Sequence, residues 1–275
     1  GALNNTALGH YTLSSLTEGD SNVAMGYNAG GSLTTGGSNT SIGKSALATA
    51  TTATANVFIG TGAGEDIQSG QALASVVAIG FEAFKGGGST TTGANGSIFI
   101  GQEAGKAITT GAGNLAIGYE AMKVHTTGAR NIAIGYGAMN DTDAGSTSLT
   151  STNNIFIGYD AGGGTWTDVA CTGNTAIGAY AMDANLNGAL YNTALGLLAL
   201  GALTEGDNNV AIGYQSGDAL TTGGDNTFIG TETGTGAQTV NRAVMIGYAA
   251  GRGVMTSDAG GAIGIGQYAL EDLTS

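Results

Sequence analysis

Apolar and polar positions alternate in a short motif that recurs along the whole chain. Its clearest copy, Asn209-Val210-Ala211-Ile212-Gly213, has the two-residue period and the branched apolar residues of a β-strand. A glycine ends each of fifteen copies, and the residue before it is apolar in every one. The pattern therefore predicts fifteen short strands. The central glycines that end them are Gly9, Gly26, Gly43, Gly60, Gly80, Gly101, Gly118, Gly135, Gly158, Gly178, Gly196, Gly213, Gly230, Gly247 and Gly266.

Successive central glycines lie 17 to 23 residues apart, and 17 is the commonest spacing. A repeat this short has no room for a pair of helices, so each repeat is one coil of a solenoid. We predict an all-β fold, a β-solenoid of about 15 coils with a basic 17-residue repeat, in which residues 1–275 form a single array whose two ends fall in mid-repeat. At about 4.8 Å per coil, the array would be roughly 70 Å long.

Both faces of the predicted strand are apolar. Val210 and Ile212 share one face, and Ala211 lies on the other, where four copies carry phenylalanine instead. A coil has only one interior, so a strand with two apolar faces is expected to pack its outer face against another chain. We therefore predict a parallel homotrimer in which three coils surround a common axis.

Two further columns of equivalent residues run along the predicted array. The position four residues before the glycine is asparagine in eleven copies, and stacked amides are expected to form a hydrogen-bonded ladder. The position after the glycine is often aromatic, which favours a structural stack over a sugar-binding platform. The asparagines are Asn5, Asn22, Asn39, Asn56, Asn114, Asn131, Asn154, Asn174, Asn192, Asn209 and Asn226, and the tyrosines are Tyr27, Tyr119, Tyr136, Tyr159, Tyr214 and Tyr248.

The Asn-Val-Ala-Ile-Gly-Tyr core at Asn209–Tyr214 resembles the repeats of bacteriophage tail-fibre shafts and of the head domains of trimeric autotransporter adhesins. The resemblance covers all fifteen copies. It implies a trimeric β-solenoid on a virion tail fibre or an extracellular surface. The coils here are longer than those of the adhesin heads, which favours the phage fibre.

Composition narrows the classes of partner. With 20 acidic residues against seven lysines and arginines, the net charge of −13 would repel nucleic acid, and no apolar run is long enough for membrane insertion. The lone Cys171 is expected to be a small buried apolar residue. No cofactor is predicted. The expected partners are other copies of the chain, other fibre or virion proteins, and a cell-surface glycan or protein receptor.

Candidate catalytic groups are few. Glu82, Glu103 and Glu120 occupy one coil position in successive repeats, which favours a surface stripe over the carboxylate pair of a glycosidase. Acidic turn residues such as Asp20 and Asp207 are explained by turn chemistry, with a structural cation as the weaker alternative. We therefore predict no enzyme activity, no catalytic residue and no metal site.

The least repetitive segments are two inserts, where surface recognition is most expected. They contain the candidate surface-recognition residues Asp143, Trp166 and Asp168. Trp166 is the only tryptophan, and it is expected to be either a cap over the apolar edge of the array or an exposed contact residue.

The predicted function is that of a structural and adhesive fibre segment, which holds a receptor-binding tip away from a particle or cell. An ice-binding solenoid is the alternative, because Thr-Thr-Gly recurs, although Glu18 and Glu205 interrupt the threonines. A polysaccharide depolymerase is a weaker alternative, because the chain lacks a suitable pair of catalytic carboxylates.

Overall fold

The computed structural model describes residues 1–68, 70, 72–86, 93–142, 150–167 and 169–273. The chain divides into two compact units, Gly1–Asn131 and Ile132–Ser275. Among its described residues, the first unit contains seven strands: β1 (Thr6–Leu8), β2 (Val23–Met25), β3 (Thr40–Ile42), β4 (Val57–Ile59), β5 (Val77–Ile79), β6 (Ile98–Ile100) and β7 (Leu115–Ile117).

In the part of the second unit that the structure describes there are eight strands and one 3₁₀ turn: β8 (Ile132–Ile134), β9 (Ile155–Ile157), β10 (Thr175–Ile177), β11 (Thr193–Leu195), β12 (Val210–Ile212), β13 (Thr227–Ile229), β14 (Val244–Ile246), the turn at Ser257–Ala259, and β15 (Ile263–Ile265). The fifteen strands are those that the motif predicts. The all-β solenoid with a spacing of about 17 residues is therefore confirmed.

Within each unit, consecutive strands pair in parallel and in strict register. Val210 lies opposite Thr227, and Ile212 lies opposite Ile229, so each residue meets its equivalent in the next coil. A central-glycine amide extends the pairing, as when the Gly230 N–H donates to the Ile212 carbonyl at 2.8 Å. Equivalent residues consequently form straight columns, and any property that recurs in the sequence becomes a continuous stripe.

The middle residue of each strand points into the coil. In the described strands from β2 to β14 it is buried, whether it is alanine, serine, methionine or phenylalanine. Since side chains alternate along a strand, the first and third residues point outward. The core is therefore narrow, and it accepts small residues along most of its length.

Large core residues are accommodated by glycine elsewhere in the same coil. A methyl group added to Gly105 would lie 2.2 Å from the Phe99 ring, and one added to Gly162 would lie 2.5 Å from the Phe156 ring. In six of the eight coils whose middle residue is alanine, as at Ala116, the position six residues later holds a large side chain, here Met122. The other two coils have Gly30 and Gly217 at that position, where large side chains of neighbouring coils, such as Leu13 and Leu200, come close. Most coils are therefore filled once, from one side or the other, as close packing requires.

The asparagine ladder is present and buried. In the second unit the Asn209 amide nitrogen donates to Asn192 Oδ1 at 3.0 Å and to the Gly223 carbonyl at 2.9 Å, while Asn209 Oδ1 accepts from Asn226. Both amide hydrogens and the oxygen are therefore used, which removes the cost of burying the polar group. The same pattern links Asn22 and Asn39 in the first unit.

Close stacking explains the central glycine. Gly213 has a φ of +136°, and a Cβ on it would lie 2.4 Å from the Gly230 carbonyl oxygen. Both the backbone conformation and the contact with the next coil exclude a side chain. All fifteen central glycines share a φ between +125° and +145°, so the motif ends on glycine in every copy.

Candidate functional site

The outward residues of the strands form an apolar surface, which we call the outward stripe. In each unit it consists of the first and third residues of the strands, β1 to β7 in the first unit and β8 to β15 in the second. Neither column contains a charged side chain, and five of the first positions are threonine. Met25 and Leu195 are each 45% exposed, and most other members are partly exposed. A monomeric protein rarely leaves a continuous apolar surface of this kind in water.

The structure shows which face of each strand points into the coil, and the alternation pattern could not predict this. Neither face carries a charged residue, and polar residues occur on both, such as Thr40 on one and Ser41 on the other, so the pattern did not mark the outside. The structure places Ala211 inside and Val210 and Ile212 outside. Size decides between them, because the narrow coil interior fits alanine in most repeats but not a column of valine and isoleucine.

The aromatic residues after the central glycines lie beside the outward stripe. Tyr136 and Tyr159 stack with their ring centroids 5.2 Å apart and their planes 9° apart. Tyr27 packs against His10 and Tyr11, also with ring contacts below 6 Å. These residues are about half exposed while their rings contact one another, which agrees with the structural stack predicted for this column.

Glu82, Glu103 and Glu120 form a surface stripe, as predicted, and each is paired with lysine. Lys106 lies 2.6 Å from Glu82 and 3.2 Å from Glu103, and Lys123 lies 2.7 Å from Glu103 and 2.9 Å from Glu120. We call these five residues together with Lys85 the Glu–Lys ladder. The cations could have been found in the sequence, since each lysine follows a glutamate by three residues.

The ladder is unsuited to acid–base catalysis. The hydrogen bond from Lys106 lowers the pKa of Glu82, and the hydrogen bond from Lys123 lowers the pKa of Glu103. A general acid needs a raised pKa to hold its proton near neutral pH, and these carboxylates are shifted in the opposite direction.

The turn carboxylates are used by the protein itself. Asp20 Oδ1 accepts a hydrogen bond from the Leu3 N–H at 2.6 Å, and Asp207 Oδ1 accepts one from the Leu190 N–H at 2.8 Å. Glu205 accepts one from Asn187. Within the described ranges, no three histidine, cysteine, aspartate or glutamate residues come together as a metal site would require.

Trp166 lies in the interior of the second unit. Its ring is fully buried, packs 5.5 Å from the Phe156 ring and donates from Nε1 to the Gly162 carbonyl at 3.1 Å. The exposed-contact alternative for Trp166 is therefore wrong: the space beside Gly162 admits the indole, and its polar atom finds a partner inside. The other two candidate recognition residues, Asp143 and Asp168, lie outside the described residues.

Cys171 is buried, as expected, and burial raises the pKa of its thiol to about 11. It is therefore almost fully protonated at neutral pH and a poor nucleophile. His125 is also buried, with its Nε2 3.4 Å from the Asn131 amide nitrogen.

Comparison with protein families, curated proteins and solved structures finds no match for this chain. In the part of the chain that the structure describes, no helix is long and apolar enough to cross a lipid bilayer.

Proposed function

We propose that this chain is a segment of a structural and adhesive fibre, built as a parallel homotrimer in which the outward stripes of three copies face a common axis. The fibre would belong to a virion tail or an extracellular surface and hold a receptor-binding tip away from it. The observation that carries the proposal is the uncharged, partly exposed stripe, which is apolar at the third position of every strand and at ten of the fifteen first positions, on strands that already have a filled interior.

A second copy of this chain fits the stripe better than an unrelated partner would. The stripe repeats once per coil, and only a surface with the same repeat can stay in step with it over many coils. Another copy, running parallel, has that repeat by construction. The connections that lengthen some coils lie between the strands, so they leave the spacing of the stripe unchanged.

The ice-binding alternative is less well supported. Thr34, Thr109 and Thr221 each donate their hydroxyl hydrogen to a main-chain carbonyl of the next coil, at 3.0 to 3.1 Å. Hydroxyls used in this way are not free to donate to a water lattice. The paired glutamates of the Glu–Lys ladder likewise count against a depolymerase.

Light scattering of the purified chain tests the proposal. The expected mass is three times 26.8 kDa, because burial of the stripe drives association. Ile212→Glu combined with Ile229→Glu should shift the mass towards the monomer, since both side chains are outward and a buried unpaired carboxylate is costly.

The matched control is Thr222→Glu, an exposed turn position equivalent to Glu18 and Glu205 in other coils. It should keep the mass of the unmodified chain. A stable monomer at all concentrations, or a stripe variant with an unchanged mass, would remove the basis of the fibre proposal.

A further inference from the structure

Two tyrosines are held side by side at the surface of the second unit. Tyr136 and Tyr159 occupy the same position in consecutive coils, with parallel rings 5.2 Å apart that are 49% and 46% exposed. The main chain fixes this arrangement, because the Asp160 N–H donates to the Tyr136 carbonyl at 2.9 Å and the Gly158 N–H donates to the Ile134 carbonyl at 2.8 Å. Their proximity is thus a property of the fold.

The pair also brackets the longest connection between coils. The central glycines Gly135 and Gly158 are 23 residues apart, the largest spacing in the chain. The single cysteine, Cys171, cannot close a disulfide within the chain. A bond between the two rings would close a loop of the same length and lower the entropy of the unfolded chain, as a disulfide does.

We propose that Tyr136 and Tyr159 form a site of oxidative coupling, where a peroxidase using hydrogen peroxide joins their rings as dityrosine. Each phenol loses one electron and one proton and becomes a phenoxyl radical. The radicals form a carbon–carbon bond between their ortho carbons, and the hydrogen on each of those carbons moves to the oxygen, which restores two phenols. The two electrons and two protons reduce one hydrogen peroxide to two waters.

Other tyrosine pairs are less suited to this reaction. Tyr159 and Tyr180 meet at 64°, and Tyr248 and Tyr268 meet at 83°, so that one ring presents its edge to the face of the other. Parallel, stacked rings instead turn their faces towards each other, so that the π orbitals of their ortho carbons, which share the unpaired electron, face one another. The stacked pair should therefore couple first.

The test treats the full chain with peroxidase and limiting hydrogen peroxide, and follows the blue fluorescence of dityrosine. Cleavage before aspartate separates the two residues, because Asp141 and Asp143 lie between them. Mass spectrometry should find their peptides joined, with a net loss of two hydrogens. On a denaturing gel the coupled chain should keep the mass of one chain, since the bond is internal.

Tyr136→Phe should abolish the joined peptide, and phenylalanine should preserve the fold because Phe81 fills the same position in another coil. Tyr214→Phe is the matched control: this tyrosine is 43% exposed, and Leu197 and Thr231 are its neighbours in the column. It should leave the yield unchanged. An undiminished fluorescence yield in Tyr136→Phe, or coupling only between different chains, would overturn the assignment.

Discussion

The first unit, Gly1–Asn131, carries seven carboxylates and five lysines or arginines, whereas the second, Ile132–Ser275, carries 13 carboxylates and two arginines. Both units use the same coil, with the same buried asparagines and the same outward stripe. In the first unit a lysine lies beside each ladder glutamate. In the second, Asp183 stands at the coil position of Lys106, and its pKa is raised by burial and, to a smaller extent, by the charge of Asp160.

This difference teaches that the coil is specified by its interior and its glycines, while its polar surface can vary. No lysine or arginine occurs between Arg130 and Arg242, yet strands β8 to β13 keep the same register. The repulsion among surface carboxylates is therefore tolerated, because burial of the core and the amide ladder contribute more.

The largest expected effect tests whether the two cores are equivalent. Phe99→Ala in the first unit and Phe228→Ala in the second each remove a fully buried ring, and each should cost about 3–5 kcal/mol in the free energy of unfolding. Urea unfolding, followed by circular dichroism at matched protein concentration, gives both values. A cost confined to one unit would show that the two cores differ.

A second substitution sharpens this comparison. Gly105 faces Phe99 and has a φ of +60°, a conformation that Leu47 adopts at the equivalent position of another coil. Gly105→Leu should therefore restore part of the stability lost in Phe99→Ala, while alone it should destabilise the chain by overpacking. If Gly105→Leu failed to raise the stability of Phe99→Ala, or did not destabilise the unmodified chain, the proposal that this coil is filled from one side or the other would be contradicted.

The sequence period was sufficient to predict the coils, the strands and the asparagine ladder, because each recurs at a fixed distance from a glycine. It could not predict which strand face is internal, since Ala211 and Ile212 are both apolar. It also could not place Trp166, because the space that admits the indole depends on the three-dimensional contacts of Phe156 and Gly162. Contacts between coils are not periodic where inserts occur, so they require the structure.

A smaller expected effect is that the stabilities of the two units depend on pH in opposite directions. In the first unit the pKa values of Glu82 and Glu103 lie below their usual 4.5, so their stabilisation is present above that pH and is lost as the pH falls through the lowered values. In the second unit, burial raises the pKa values of Asp160, Asp183 and Asp218 above 3.8. Their ionisation opposes folding, and protonation relieves that penalty.

Acidification from neutral pH towards about 4.5 should therefore stabilise the second unit before the first is weakened. Hydrogen exchange measured by mass spectrometry reports the two units separately, and the buried Trp166 gives an independent fluorescence signal from the second. Asp160→Asn should reduce the acid-induced gain, and Glu103→Gln should cost the first unit about 1 kcal/mol at pH 7. If acidification changed the stability of both units in the same direction, the predicted opposite pH dependences would be contradicted.

The most direct test of the central claim, that copies meet along the outward stripe, is disulfide formation between equivalent positions. A cysteine introduced by Ile212→Cys should link two chains under mild oxidation, because a parallel trimer in register places the same residue of each copy near the axis. The buried Cys171 should stay unreacted, and Thr222→Cys, in an exposed turn, should serve as the control. A covalent dimer at position 212 and not at 222 is the predicted result; equal linking at both positions, or none at 212, would contradict the account.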